Sequence, residues 1–335
     1  MTPGTKTRQA TQAGQSSVRQ ERVKRAFFRG DALRLENPAY ANSVRTLLEE
    51  LLNSDIGSGD LTVSALEIVD EHASAKILAK EPGVIAGLAE FEWLLARNDL
   101  ELKIHKRDGE RIESGDVVIE LEGRRNDLLG CERVGLNLLQ RLSGIATATR
   151  DFQELLHRHN PDAQVIGTRK TPWGLLDKRA LHLGGGGTHR LGLWDAILVK
   201  NNHLALLADR EQEAARIAVE RAWRARRSAA FIEIEVRTDV SALAAAQAFR
   251  RMQDSSGEES GDCACLLLLD NMVPARIFAV IERLRAEGLF DSVLTEASGN
   301  ISENKIEEYA ACGVDAISMG ALTHSVRALD LCERL

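Results

Sequence analysis

Phe231-Ile-Glu-Ile-Glu-Val236 and, further on, Cys265-Leu-Leu-Leu-Leu-Asp270 are the two runs that decide the fold. Each is short and apolar or β-rich, of strand length and too short for a buried helix. An Ala-rich segment of helical period lies between them, long enough to bring the second run back parallel to the first. The same beat continues outward: Val165–Thr168 and Ala196–Val199 upstream, Val293–Glu296 and Ala316–Ser318 downstream, most of them separated by helix-length segments. Six such runs occupy the 175 residues from 161 to 335, fewer than the roughly 250 residues typical of an eight-stranded barrel. The expected class is therefore α/β, with an incomplete barrel of six or seven strands. A flat doubly wound sheet would call for G-x-G-x-x-G after its first strand, and none is present.

Upstream the rhythm changes. Residues 43–130 mix helix-like segments (Ser43–Leu52, Ala89–Asp99) with β-rich ones (Ala73–Ala79, Leu100–Lys106, Val117–Glu122), joined by turns such as Asp108-Gly-Glu110 and Ser114-Gly-Asp116. This reads as a small α+β domain. A long amphipathic pattern from about Leu128 to His157, with Val134, Leu138, Leu142, Ile145, Phe152 and Leu156 near one stripe, is expected to bridge it to the barrel. The expected division is 43–150 and 151–335, with the extreme C-terminus free to return to the first domain.

Residues 1–42 read as a disordered basic tail. The first 30 residues carry Lys6, Arg8, Arg19, Arg22, Lys24, Arg25 and Arg29 against Glu21 alone, a balance of +6 on a chain of net charge −7. Thr, Gln, Ser and Gly dominate there, with no sustained apolar period. A nucleic-acid or anionic-membrane arm and an organelle-targeting peptide are alternatives to a dispensable extension, which is the reading adopted. Asp254–Asp262 reads as a solvated loop.

Composition excludes several classes. The longest apolar stretch, Cys263–Leu269, is far short of the ~18–20 residues of a bilayer span, so no membrane partner is expected. No compact apolar segment of a secretory signal stands near the start. Five cysteines without C-x-x-C suggest reduced thiols in a cytoplasmic setting. Aromatics at 4% argue against a nucleic-acid partner, whose groove interleaves stacking rings with basic residues.

In α/β barrels the chemistry sits at the carboxyl ends of the strands. Here those ends carry Thr168-Arg169-Lys170, Lys200-Asn201-Asn202-His203, Glu233 with Glu235, Asp270-Asn271, Glu296-Ala-Ser298-Gly299-Asn300 and Ser318-Met-Gly320. Between 165 and 205 stand Arg169, Lys170, Lys178, Arg179, Arg190 and Lys200 against Asp177 and Asp195, with His182, His189 and His203 added. Such a local positive field suits a small polyanion. Glu235 and Asp270, on neighbouring strand ends, offer the oxygen ligands that hold Mg²⁺ together with substrate phosphates. Glu233 shares parity with Glu235, and alternation does not say which faces the site. Gly184–Gly187 is a weak signal, whereas the Ser298-Gly299-Asn300 and Ser318-Met319-Gly320 turns suit phosphate.

With Gly59-Asp60-Leu61-Thr62, the run from Cys131 to Thr147, Thr168-Arg-Lys-Thr171, His189-Arg-Leu-Gly192, Ile232–Val236, Leu268–Met272, Glu296-Ala-Ser-Gly299 and Gly320-Ala-Leu-Thr-His-Ser325, the chain resembles the quinolinate phosphoribosyltransferases. These are the decarboxylating nicotinate-nucleotide pyrophosphorylases of NAD biosynthesis. The resemblance spans about 43 to 332. It implies an N-terminal open α/β sandwich followed by an incomplete α/β barrel, paired into a homodimer with shared active sites, or a higher oligomer. It also implies that quinolinate is gripped by Arg133 of a neighbouring subunit together with Arg169, His189, Arg190 and Lys200. Lys170 would face phosphoribosyl pyrophosphate, with Glu235 and Asp270 near the ribose and the metal-bound pyrophosphate. Ser298, Gly299, Asn300, Ser318, Gly320 and His324 would surround the 5′-phosphate. Mg²⁺ is implied, and no organic cofactor. The chain departs from the family pattern at Gly167, at Thr188, at Asn201 and in a shortened 171–183 segment. The alternatives are a related transferase acting on nicotinate or another aromatic acid, which needs fewer cations, and a noncatalytic barrel binding a phosphorylated metabolite.

Overall fold

The computed structural model describes residues 17–96, 99–256 and 263–335. The chain divides into two compact units, one of Gly30–Asp151, Lys170–Gly186 and Ala321–Leu335, the other of residues 17–29, Phe152–Arg169 and Gly187–Gly320.

The first unit holds β1 (His72–Ala79), β2 (Gly83–Val84), β3 (Glu101–Ile104), β4 (Arg111–Ile112) and β5 (Val117–Arg124). In β1 and β5 the cross-strand partners Ala75 with Leu121 and Ile77 with Ile119 are the buried ones, so one face of the antiparallel sheet is apolar. The helix Pro38–Ile56 buries Tyr40, Val44 and Leu48, one residue per turn. Proline at its first position and the Asn37 side chain, which accepts from the Ala39 amide at 3.0 Å, fix its start. The helix Arg125–His159 follows β5 and runs from this unit into the other, burying Leu128, Val134, Leu138, Leu142, Ile145 and Leu156.

The second unit is built on β6 (Gln164–Ile166), β7 (Ile197–Val199), β8 (Phe231–Val236), β9 (Ala264–Asp270), β10 (Leu294–Ser298) and β11 (Ala316–Ser318). All neighbours are parallel, in the order β6-β11-β10-β9-β8-β7. β6 and β7, consecutive in the chain, lie at opposite edges, so the barrel is incomplete. Gly187 adds one parallel rung beside Ile166, the only trace of a seventh strand among the described residues. Every residue of β8 is buried, as for a strand covered on both faces.

The chain ends in β12 (Leu331–Arg334), antiparallel to β1 with Cys332 opposite Leu78. It completes the first unit's sheet as β12-β1-β5-β3. A single boundary at 150/151 is thus too simple. Residues 170–186 and 321–335 belong with the N-terminal unit, where the helix Leu175–Leu183 buries Leu176, Ala180 and Leu181.

The expected disorder of 1–42 is corrected from residue 17 onward; residues 1–16 lie outside the described residues. Residues 17–27 form a helix whose Val23, Ala26 and Phe27 are buried among Ala196, Phe231, Ala264, Leu266, Leu294 and Ala316. Phe231, Ala264, Leu294 and Ala316 open β8, β9, β10 and β11, so this helix plugs the amino end of the barrel. Arg19 anchors it, donating to Asp315 Oδ2 at 2.7 Å and to the carbonyls of Phe290 and Val293. Basic residues on the outer face hid a short i, i+3, i+4 apolar stripe. Of the loop expected at 254–262, residues 254–256 end the helix Asp239–Ser256, and 257–262 lie outside the described residues. Residues 97–98 of the expected Ala89–Asp99 helix do so too.

Candidate active site

The carboxyl ends of the barrel strands carry a polar rim. Lys200 follows β7, Glu235 lies one residue from the end of β8, and Asp270, Ser298 and Ser318 close β9, β10 and β11. Glu235 Oε1 accepts the Asn201 amide at 3.1 Å. Arg237 lies between the two rim carboxylates, its Nη2 at 3.4 Å from Glu235 and 3.3 Å from Asp270. The pair is thus organised around a cation, and Arg237, half exposed, holds that place.

Beside it the turn after β10 is tightly made. Asn271 and Asn300 take left-handed φ values of 53° and 51°, and Gly299 has φ 102°. The Asn271 amide donates to the Ser298 carbonyl at 2.9 Å. A Cβ on Gly299 would stand 2.3 Å from Asn271 Oδ1, so glycine is required by both backbone and space.

Below the rim lies a second layer. Glu233, two residues before Glu235, is fully buried, as is Glu296. Burial pushes the Glu233 carboxyl up to about 7, and burial followed by the neighbouring Glu233 raises Glu296 well above the carboxylate range. His189 Nε2 is 3.1 Å from Glu233 and 3.5 Å from Glu296. Its Nδ1 accepts the Arg190 amide at 2.7 Å, which leaves Nε2 as the ring's donor, on the side of the two carboxyls. The trio's donor atoms lie within 4.8 Å of one another, and burial raises both carboxyls, which opposes the deprotonation that metal binding needs. The rim pair is the better cation site. Arg190 is buried, its Nη1 donating to the Ala196 carbonyl at 3.3 Å, and burial and then Arg169 lower its pKa.

Arg133, Lys170 and His324 belong to the N-terminal unit. Arg133 is largely exposed and 3.6 Å from Glu132. The Lys170 carbonyl accepts from Thr323 Oγ1 at 2.8 Å, and exposed His324 is 2.6 Å from Ser325 Oγ. Lys178 is buried and Arg179 faces Glu90 and Asp108, so both serve this unit's interior. Sequence reasoning missed Arg237, although it shares parity with Glu235. It also missed Arg141, which grips both Asp177 oxygens at 2.8 Å and holds the 170–186 segment.

The family models described as the N-terminal and C-terminal domains of quinolinate phosphoribosyl transferase match residues 60–143 and 145–332. The chain belongs to the quinolinate phosphoribosyltransferase family. Among its relatives, the probable nicotinate-nucleotide pyrophosphorylase [carboxylating] of Methanothermobacter thermautotrophicus is 35% identical over 287 residues, covering 85% of this chain and 96% of that one. Its counterpart in Bacillus subtilis is 35% identical over 295 residues, 86% and 92% of the two chains. The crystal structure of NadC from Streptococcus pyogenes superposes with a TM-score of 0.73 at 31% identity, over 88% of this chain and 96% of that one. The two family models take in every rim residue, whereas the helix of residues 17–27 lies outside them.

Proposed function

We propose that this protein transfers the phosphoribosyl group of phosphoribosyl pyrophosphate to the ring nitrogen of quinolinate with loss of carbon dioxide. The products are nicotinate mononucleotide and pyrophosphate, a step of de novo NAD synthesis. The observation that carries this reading is the Glu235–Arg237–Asp270 arrangement next to the Ser298-Gly299-Asn300 turn. A pair of carboxylates ready for a cation beside an anion-binding turn is what a metal-chelated diphosphate on a 5′-phosphorylated ribose asks for.

The donor set fits Mg²⁺, since two hard carboxylates already share one positive group; Glu235 and Asp270 would hold it, directly or through water or pyrophosphate. When bound it would stabilise charge on the departing pyrophosphate. The same carboxylates favour the cationic sugar centre left as the C1′–O bond breaks. Lys170 faces the pyrophosphate side, and Ser298, Gly299, Asn300, Ser318, Gly320 and His324 hold the 5′-phosphate. Arg169, Arg190 and Lys200, with Arg133 lent by a second copy of the chain, orient the base so that its nitrogen lone pair forms the C1′–N bond. His189, whose Nδ1 accepts the Arg190 amide, completes the set that holds the base. The quaternary ring then takes up the electron pair of the C2–carboxylate bond, carbon dioxide leaves, and C2 accepts a proton. No organic cofactor is needed.

A homodimer with shared sites accounts for an exposed Arg133. No helix among the described residues is long and apolar enough to cross a membrane, and free Cys263, Cys265, Cys312 and Cys332 suit a cytoplasmic enzyme. The test is purified protein with Mg²⁺, phosphoribosyl pyrophosphate and either quinolinate or nicotinate. Mononucleotide from quinolinate is expected; product from nicotinate alone overturns the choice of substrate, and product from neither supports a binding module.

A further inference from the structure

His189 adopts φ 54°, a left-handed conformation that a non-glycine residue holds only when its surroundings over-determine it. The residues on either side show what does so. The Thr188 amide donates to the Phe27 carbonyl at 2.7 Å, and the Thr188 hydroxyl donates to the same oxygen at 3.0 Å. That hydroxyl also accepts the Arg29 amide at 3.3 Å. At the other end of the segment, buried Asp195 receives Arg29 Nη2 on Oδ1 at 3.1 Å and the Leu191 amide on Oδ2 at 2.8 Å. The Phe27 ring lies 5.8 Å from the His189 ring, centroid to centroid. Residues 188–195 are thus pinned at both ends, by the last residue of the N-terminal helix and by Arg29 just after it.

We propose that Phe27 and Arg29 are positioning residues: they clamp Thr188 and Asp195, and so fix the His189-Arg190-Leu191 backbone that presents Arg190 to the base. The inference rests on the function proposed above. Residues 17–29 lie outside the spans of the two family models, the first of which begins at residue 60, so the clamp is read from the contacts of this chain alone. Charge gives Arg29 a second effect. It neutralises Asp195, which after Glu233 is the second acid that attracts Arg190, so without it the pull of Asp195 on Arg190 grows at the expense of a ligand carboxylate. The damage should therefore fall on the base and spare phosphoribosyl pyrophosphate.

The test uses the full chain with Arg29→Ala and Arg29→Lys, a partly exposed position whose replacement leaves the barrel core intact. For Arg29→Ala the KM for quinolinate should rise about tenfold, the loss of one charged hydrogen bond. The KM for phosphoribosyl pyrophosphate should stay within about twofold, and Arg29→Lys should recover most of the loss. An unchanged quinolinate KM, or both KM values rising together, overturns the proposal. If the wild type turns over no quinolinate, the functional reading fails and hydrogen exchange decides the clamp. Faster exchange at the Thr188 and Leu191 amides in Arg29→Ala supports it, and unchanged exchange removes it.

Discussion

Glu233 and Glu235 stand two residues apart on one strand and face the same way, yet their surroundings give them different chemistry. Glu235 meets an amide and a guanidinium at the rim, whereas Glu233 is buried with Glu296 and His189. Alternation could not separate them, because parity is blind to depth along a strand. Glu233 titrates near 7 when folded and near ~4.3 when unfolded. Between those values the unfolded chain sheds a proton that the folded protein keeps, so stability falls as pH rises from about 4.5 to 7 and then levels off. Glu233→Gln cannot ionise and escapes this loss. Scanning calorimetry between pH 4.5 and 8 should show its Tm declining less than that of the wild type, by roughly 2–4 °C; parallel curves would refute the raised pKa. At the rim, Asp270→Asn leaves Arg237 with one carboxylate. Initial rates should show kcat/KM for phosphoribosyl pyrophosphate down by about 10²–10³, with the KM for quinolinate little changed.

Among elements, the turn after β10 has the narrowest tolerance. Gly299→Ala forces a Cβ into Asn271 at φ 102°, a strain of roughly 1–3 kcal/mol that the turn relieves by shifting. The KM for phosphoribosyl pyrophosphate should rise about tenfold or more while Tm moves little, as kinetics and calorimetry on one preparation would show. β9 was legible because Cys265–Leu269 is a continuous apolar run, and β8 because Ile232–Val236 alternates β-branched residues with glutamate at strand period. The N-terminal helix was not, since Val23, Ala26 and Phe27 make a stripe of one turn inside a basic stretch, and only the open barrel end explains their burial. The rim residues were legible by position, each following an apolar run. The inner layer was not, because nothing local says that Glu296 and His189 meet Glu233 through contacts far apart in sequence.

At the scale of the whole molecule, the chain crosses repeatedly between its two units, and its last strand completes the first sheet. The cations assigned to the base are likewise divided. Arg169, Arg190 and Lys200 lie in the barrel unit and Arg133 in the other, and the proposed homodimer would bring Arg133 of one copy to the barrel of the next. Arg133→Ala and Lys200→Ala, each inactive alone, should regain up to about a quarter of wild-type activity per site when unfolded together and refolded, because mixed dimers carry one intact site; no recovery would rule out sharing. The central claim is phosphoribosyl transfer coupled to decarboxylation of a pyridine diacid. Its most direct measurement is the ratio of labelled carbon dioxide to pyrophosphate released from quinolinate carrying isotope in the C2 carboxylate. A ratio of about one, with nicotinate mononucleotide as the product, is the expected result; pyrophosphate release without labelled carbon dioxide would contradict the account.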